Sequence, residues 1–391
     1  MVDKLLREFS AIFGDYGKKH IFFSPGRVNL IGEHIDYNGG NVFPCAINLG
    51  TYGVVRERED NKCRLYSLNI TKYGMKEFPI NNIQKNSNDG WSAYEKGVVK
   101  IFSDNGFKFS RGFDLLIYGN IPNGAGLSSS ASVELLTAVI LKELNNLDID
   151  MIEMIKLSQK AENLYVGVQS GIMDQFAIGM GKKNHAILLN CNTLNYQYAP
   201  FLSDNISIVV GNTNKKRGLA DSKYNERRIS CEEALKIFQD NGVKINNLCD
   251  LSMEEFNDIK TLLKDNTLLK KATHAVSENE RTRKAVINLE NGDFDSFGKL
   301  MNESHLSLKN DYEVTGIELD TMVNLAWNTE GVVGSRMTGA GFGGCTVSLV
   351  KNDFVENFKQ SVGGNYLKKI GRTPEFYVIT VGDGTRKLGV Y

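Results

Sequence analysis

Three serines, Ser128, Ser129 and Ser130, stand between a loop containing Gly124 and Gly126 and an amphipathic helical pattern from Val133 to Leu144. An apolar strand pattern, Phe113 to Tyr118, leads into the loop. The glycines let the backbone approach a ligand closely and adopt positive φ. The first N–H groups of the helix lack intrahelical partners and carry partial positive charge. Such a helix start is a seat for a phosphate chain, with hydroxyls to spare for oxygen or a metal ion. No G-x-x-x-x-G-K-[ST] pattern occurs, so a nucleotide here is held differently from one in a P-loop ATPase. Read alone, the same serines also suit ordinary helix capping.

A second stretch sets Arg27, Glu33, His34 and Asp36 close together between two apolar runs. Alternating donors and acceptors on a short turn match a polyhydroxylated ligand, each hydroxyl wanting both. A satisfied polar turn would have the same composition, and no second histidine stands at metal-ligand spacing. In the third stretch, Ser170 to Phe176, a glycine turn puts Asp174 in the first turn of a helix. A carboxylate is favoured there electrostatically, and becomes catalytic only if an alcohol and a phosphate meet beside it. Glu162, on the preceding helix, joins Ser130 as an oxygen pair of the kind Mg²⁺ prefers. In the fourth stretch, Gly339, Gly341 and Gly344 satisfy G-x-G-x-x-G, but they lead into a β-branched strand, Cys345 to Val350. A dinucleotide site needs a helix after the glycines, so a nicotinamide-dependent dehydrogenase is disfavoured.

The elements that carry these stretches follow from periodicity. Helices are expected over the N-terminal segment to Gly14, Trp91–Ser103, Met151–Tyr165, Gly171–Gly179, Ala220–Gln239 and most of Leu251–Leu308. Strands are expected at Ile21–Phe23, Val42–Leu49, Tyr52–Arg58, Cys63–Leu68, His185–Asn190, Ile206–Gly211, Val332–Met337, Cys345–Val350 and Phe376–Val381. Strands come early and helices cluster later, which favours an α+β layered domain over regular βαβ winding. A boundary near residue 200 divides the chain into 1–200 and 201–391. At 391 residues, 41% hydrophobic and 24% charged, the chain is an ordinary globular composition. Lys plus Arg and Asp plus Glu both number 46, so no global field draws nucleic acid or an acidic membrane. The six cysteines lack C-x-x-C spacing, and no apolar run is long enough to span a bilayer. A soluble, cytoplasmic protein with free thiols is expected.

In this order the four stretches resemble the galactokinases of the GHMP small-molecule kinase superfamily. GRVNLIGEHIDYN is similar to their sugar signature and GNIPNGAGLSSSAS to the superfamily phosphate loop. SGIMDQF resembles the segment with the catalytic aspartate, MTGAGFGGCTVSL the third motif, and Ser222 to Arg228 a further galactokinase element. The resemblance implies a two-part α+β fold, an N-terminal portion like the second domain of ribosomal protein S5 and a C-terminal ferredoxin-like α+β sandwich. It implies transfer of phosphate from ATP, with Mg²⁺, to the anomeric hydroxyl of galactose. Gly124, Ala125, Gly126, Leu127, Ser128, Ser129 and Ser130 would wrap the nucleotide phosphates, and Ser130 with Glu162 would hold Mg²⁺. Asp174 would face the sugar C1 hydroxyl with Arg27 beside it, while Glu33, His34, Asp36 and Tyr224 contact sugar hydroxyls. Ser67, Trp91 and Tyr94 would line the adenine pocket. A monomer acting on galactose and ATP is implied, with no nucleic acid or membrane partner.

For the chemistry, Asp174 either takes the alcohol proton as a general base or orients the hydroxyl and accepts the proton late, as a loose transition state develops. The second is the favoured course. Related kinases for N-acetylgalactosamine or L-arabinose share much of the sugar signature and remain alternatives. Galactokinase-like sensors that bind sugar without phosphorylating it lack a Ser-Ala pair in the phosphate loop, and Ser130-Ala131 is present here.

Overall fold

A computed structural model describes residues 1–122, 124–201, 205–215 and 220–391, without the side chains of 220–222. Asn123 of the glycine loop, the side chain of Ser222 and part of the expected junction near residue 200 thus lie outside the described residues. The first half comprises α1 (Val2–Phe13), β1 (His20–Asn29), β2 (Asn41–Val42), β3 (Pro44–Glu57), β4 (Lys62–Ser67) and β5 (Lys76–Pro79). It continues through α2 (Ala93–Asp104), β6 (Phe113–Gly119), α3 (Ser129–Asn145), α4 (Met151–Ala161), α5 (Met173–Met180), β7 (His185–Asn190) and β8 (Tyr196–Pro200). The second half holds β9 (Ile206–Asn212), α6 (Ala220–Asp240), α7 (Met253–Ile259), α8 (Asn266–Glu290), α9 (Phe294–Ser307) and α10 (Ile317–Trp327). After these come β10 (Val332–Thr338), β11 (Cys345–Lys351), α11 (Val355–Ile370), β12 (Glu375–Ile379) and β13 (Arg386–Val390).

The first sheet has the order β13-β1-β3-β6-β4-β5 and is antiparallel except where β4 runs parallel to β6. Its apolar residues Phe22, Val55, Leu115 and Ile117 bury against Val98, Phe102, Leu136 and Ile140 of α2 and α3. Alternate residues point the other way. Ile21, Val54 and Leu116 therefore meet Leu5, Phe9 and Phe13, which recur every four residues on α1. Where two strands were expected on either side of Gly50, a single strand β3 runs through, paired along its length with β1 and β6. Glycine is usually a breaker, but here cross-strand pairing carries the chain past it.

The second sheet has the order β10-β11-β9-β12 and is antiparallel throughout. Counting β9, β10, β11 and β12 as first to fourth, this is the ferredoxin-type arrangement, with helices inserted between its first two strands. The two halves are interleaved. One core joins Val28, Leu30 and Phe43 to Val210, Val347 and Leu349, with Val286 and Phe297 from α8 and α9. The final strand β13 returns to pair with β1 in the first sheet, from His20↔Val390 to Phe23↔Arg386. Among the described residues no helix is long and apolar enough to cross a membrane.

Candidate active site

Arg27 sits near the end of β1, just past an irregularity in its pairing with β3. Its backbone N–H donates to Leu127 O at 3.2 Å, and its Nη1 to Gly126 O at 2.7 Å, which ties the strand to the glycine loop. The rest of the guanidinium faces Asp174 in the first turn of α5. Nε donates to Oδ1 at 2.8 Å and Nη2 to Oδ2 at 3.0 Å, a bidentate pair. Arg27 is buried and Asp174 half-buried at the cleft floor.

Gly124 and Gly126 adopt φ 70° and 73°, as a loop closely approaching a ligand requires. Ser128 precedes α3 in the left-handed region at φ 59°. Its hydroxyl donates to Asp174 Oδ2 instead of capping the helix, and among the described residues no side chain caps α3 at this end. The ordinary capping reading of the serines therefore does not hold. Ser128, Ser129 and Ser130, at the start of α3, line the same cleft as Arg27 and Asp174, and the first N–H groups of the helix lack intrahelical partners.

Helix α4 ends in a π turn, Glu162–Val166, of the sort that re-aims side chains at functional sites. Glu162 is buried, accepting from Ser170 Oγ at 2.6 Å and Gln175 Nε2 at 2.9 Å. Burial pushes its carboxyl above the usual range, while Ser170, Gln175 and Ser130 donate hydrogen bonds that pull it back. Behind it, Gln175 also donates to the buried Glu134 at 2.9 Å.

The sugar-signature residues line the opposite wall. Glu33 is buried against Arg336, whose Nη2 donates to Oε2 at 2.7 Å and Nη1 to Asn29 O at 2.8 Å. Burial raises the Glu33 carboxyl, and Arg336 and Arg27 oppose the rise. His34, at φ 62°, has Nε2 3.2 Å from Ala340 O and Nδ1 2.9 Å from Tyr37 Oη. A carbonyl only accepts, so Nε2 carries the proton and Nδ1 accepts from Tyr37, which in turn accepts from Tyr312 at 2.8 Å. Burial, then His274, pushes the His34 pKa down to about 3, so the ring is neutral. The Asp36 carboxyl is pushed up to about 7 by burial and then by the carboxylates of Asp174 and Glu33. It fits only because residue 171 is glycine: a Cβ there would lie 1.8 Å from Asp36 Oδ2. The ring of Tyr224, on α6, packs 5.4 Å from those of His34 and Tyr37.

These side chains enclose one cleft of about 1040 Å³, counting solvent at its mouth. It is lined by Arg27, Glu33, His34, Asp36, Asp174 and Tyr224 together with Gly124, Gly126, Leu127, Ser128, Ser129, Ser130 and Glu162. Ala125 is buried beneath the loop, apart from the lining. An adjoining pocket shares Ile121, Ser129 and Ser130 with the cleft and is lined by Ser67, Trp91, Tyr94, Glu95 and Ile117. Trp91 Nε1 and Glu95 Oε2 are buried there without a hydrogen-bond partner among the described residues. The glycines of the fourth stretch form the turn between β10 and β11, with no helix following, and Gly339 and Ala340 close the cleft from above the sugar wall. Arg336, Glu278 and His274 belong to this site as supports and carry no local sequence signal.

The chain matches the galactokinase galactose-binding signature over residues 7–57, the GHMP kinases N terminal domain over 93–182 and the GHMP kinases C terminal region over 285–367. It is 58% identical over 388 residues to a galactokinase of Fusobacterium nucleatum, covering 99% of this chain and 100% of that one. A crystal structure of Lactococcus lactis galactokinase complexed with galactose superimposes with a TM-score of 0.97 at 49% identity, covering 99% and 100% of the two chains. A Methanococcus jannaschii mevalonate kinase shares the fold, with a TM-score of 0.65 at 20% identity over 93% of this chain and 99% of its own. With three family matches along the chain and near-complete coverage by such relatives, the chain belongs to the galactokinase family of the GHMP kinases.

Proposed function

We propose that this enzyme transfers the γ-phosphoryl group of ATP to the anomeric hydroxyl of D-galactose, giving α-D-galactose 1-phosphate and ADP, the first phosphorylation of galactose catabolism. The observation that carries the reading is the Arg27–Asp174 pair, placed where the start of α3 meets the Glu33–Asp36 wall. The sugar sits against Glu33, His34, Asp36 and Tyr224, and the base of the nucleotide occupies the pocket of Ser67, Trp91 and Tyr94. The phosphates then run along the N–H groups at the start of α3, and the γ-phosphorus points toward Asp174.

Asp174 accepts a hydrogen bond from the C1 hydroxyl, orienting one lone pair for in-line attack. Arg27 grips both carboxylate oxygens and holds Asp174 in place while the hydroxyl aligns, and Asp174 takes the proton late. The positive charge of Arg27, next to the start of α3, offsets charge on the transferring group. Ser128, hydrogen-bonded to Asp174, keeps the carboxylate aligned with the helix start. Glu162 and Ser130 form an all-oxygen pair at the cleft, a donor set that fits Mg²⁺, and these two residues would hold it. Bound there, Mg²⁺ supplies neutralisation of phosphate charge. The enzyme works as a cytoplasmic monomer on freely diffusing substrates.

A panel of aldoses assayed with Mg-ATP, with the product examined by phosphorus NMR, tests the reading. Phosphate on the anomeric oxygen of galactose is expected, while N-acetylgalactosamine or L-arabinose as the better substrate would replace it. Asp174→Asn should cut turnover by roughly 10²–10⁴-fold with galactose binding largely kept. Near-normal turnover in that variant would remove Asp174 from the chemistry.

A further inference from the structure

We propose that helix α8, in the half of the chain opposite the sugar signature, sets galactose affinity from behind, with Glu278, His274 and Asn279 as positioning residues. The inference rests on the reading above that the segment from Gly32 to Asn41 holds the sugar. Apart from a short helical turn at Asp36–Asn38 and the first residue of β2, that segment has no regular structure, yet most of it is buried. Its backbone groups need partners from elsewhere.

They find them on α8. Glu278 Oε1 accepts from Gly32 N at 3.0 Å and from Glu33 N at 3.3 Å. One turn earlier on the same face, His274 Nε2 donates to Glu33 O at 3.0 Å. At the far end of the segment, Asn279 Oδ1 accepts from Asn41 N at 2.9 Å and Asn41 Nδ2 at 2.8 Å. Both ends of the sugar segment are thus pinned by one stretch of helix, and Glu33 is held on both sides of its Cα. The clamp is itself braced. Ser304 Oγ donates to Glu278 Oε1 at 2.6 Å, Arg281 Nε to Oε2 at 2.8 Å, and Asn279 Nδ2 to Cys249 O at 2.9 Å. Glu278 is fully buried, which alone would raise its carboxyl, but Arg281, His274 and Arg336 with the Ser304 hydrogen bond together outweigh the desolvation, so it falls to about 2 and remains an acceptor.

A contact that merely joined two halves of a fold would lower stability and the active fraction, touching both substrates alike. A positioning clamp instead moves the galactose KM alone. The experiment compares Glu278→Gln and Asn279→Ser with wild type and with Glu280→Gln, a control on α8 that pairs with Lys284 one turn on. Galactose KM, ATP KM, kcat and calorimetric galactose binding without nucleotide are measured, with melting curves to establish folding. Glu278→Gln removes the charge and leaves one acceptor oxygen where two stood, so either the two N–H groups or Arg281 meets an N–H donor, and its galactose KM and Kd should rise about tenfold or more, with ATP KM unchanged and kcat recovered at saturating sugar. Asn279→Ser should shift the same two constants less, and it decides the matter if Glu278→Gln does not fold. Folded variants with wild-type galactose constants, or with both KM values moving together, overturn the clamp. A wild type that neither binds nor phosphorylates galactose overturns the functional reading beneath it instead.

Discussion

Asp36 shows what the sugar wall costs the fold. In the unfolded chain an aspartate titrates near ~3.9. In the cleft, burial and the neighbouring carboxylates push Asp36 up to about 7. Between those values unfolding releases a proton that the folded protein keeps, so this residue's contribution falls as pH rises through the window and is constant above it. Asp36→Asn removes the penalty. In calorimetry without sugar, the variant should melt higher than wild type at pH 8, by roughly 2 °C or more, with the gap closing toward pH 4. The same change should raise the galactose KM, because an acceptor for sugar hydroxyls is lost. A variant that melts lower at pH 8 would contradict the assignment of this strain to Asp36. Arg27 and Asp174 differ: each satisfies the other, and the pair is ready before any ligand arrives.

At the scale of elements, the site is built from ends: the end of β1, the start of α3, the π turn closing α4 and the first turn of α5. Most of this was legible in the sequence because helix starts and glycine loops are local chemistry. Gly124, Gly126 and the three serines mark a loop running into a helix start by their own composition, and Asp174 follows its glycine turn. What was not legible depends on distant partners. Arg336 meets Glu33 across 303 residues and Glu278 meets Gly32 across 246, and nothing near either residue announces the contact. Ser128 was read as one phosphate ligand among several, whereas its hydroxyl turns to Asp174, a preference set by the left-handed backbone at that position. Gly171 belongs to this scale too, since the turn before α5 passes against the Asp36 carboxylate. Gly171→Ala would force Asp36 aside, and kcat/KM for galactose should fall roughly 10²-fold. Steady-state kinetics that leave galactose unaffected would show that the wall can yield.

Across the whole molecule, the two larger sheets share a core, and the first takes its outer strand, β13, from the second half of the chain. Strand β13 was missed in the sequence because Arg386-Lys387-Leu388-Gly389-Val390 is short and weakly apolar. Its place comes from pairing with β1, and Thr385 hydrogen-bonds Ser24 at 2.8 Å beside it. Removing residues 386–391 should leave the cleft residues in place but lower the thermal midpoint by roughly 5 °C or more, read by calorimetry. A midpoint equal to wild type would mean that β1 needs no outer neighbour.

That pairing also has a consequence for biosynthesis. Ser24 and Thr385, which touch in the finished protein, lie 361 positions apart. The strand bearing Arg27 leaves the ribosome hundreds of residues before β13 and waits with one edge bare until β13 has been made. Cotranslational folding can therefore assemble the helical layer over the first sheet, but the sheet itself is sealed only after translation reaches β13, and nascent chains stalled before that point should be the ones that chaperones hold and proteases cut.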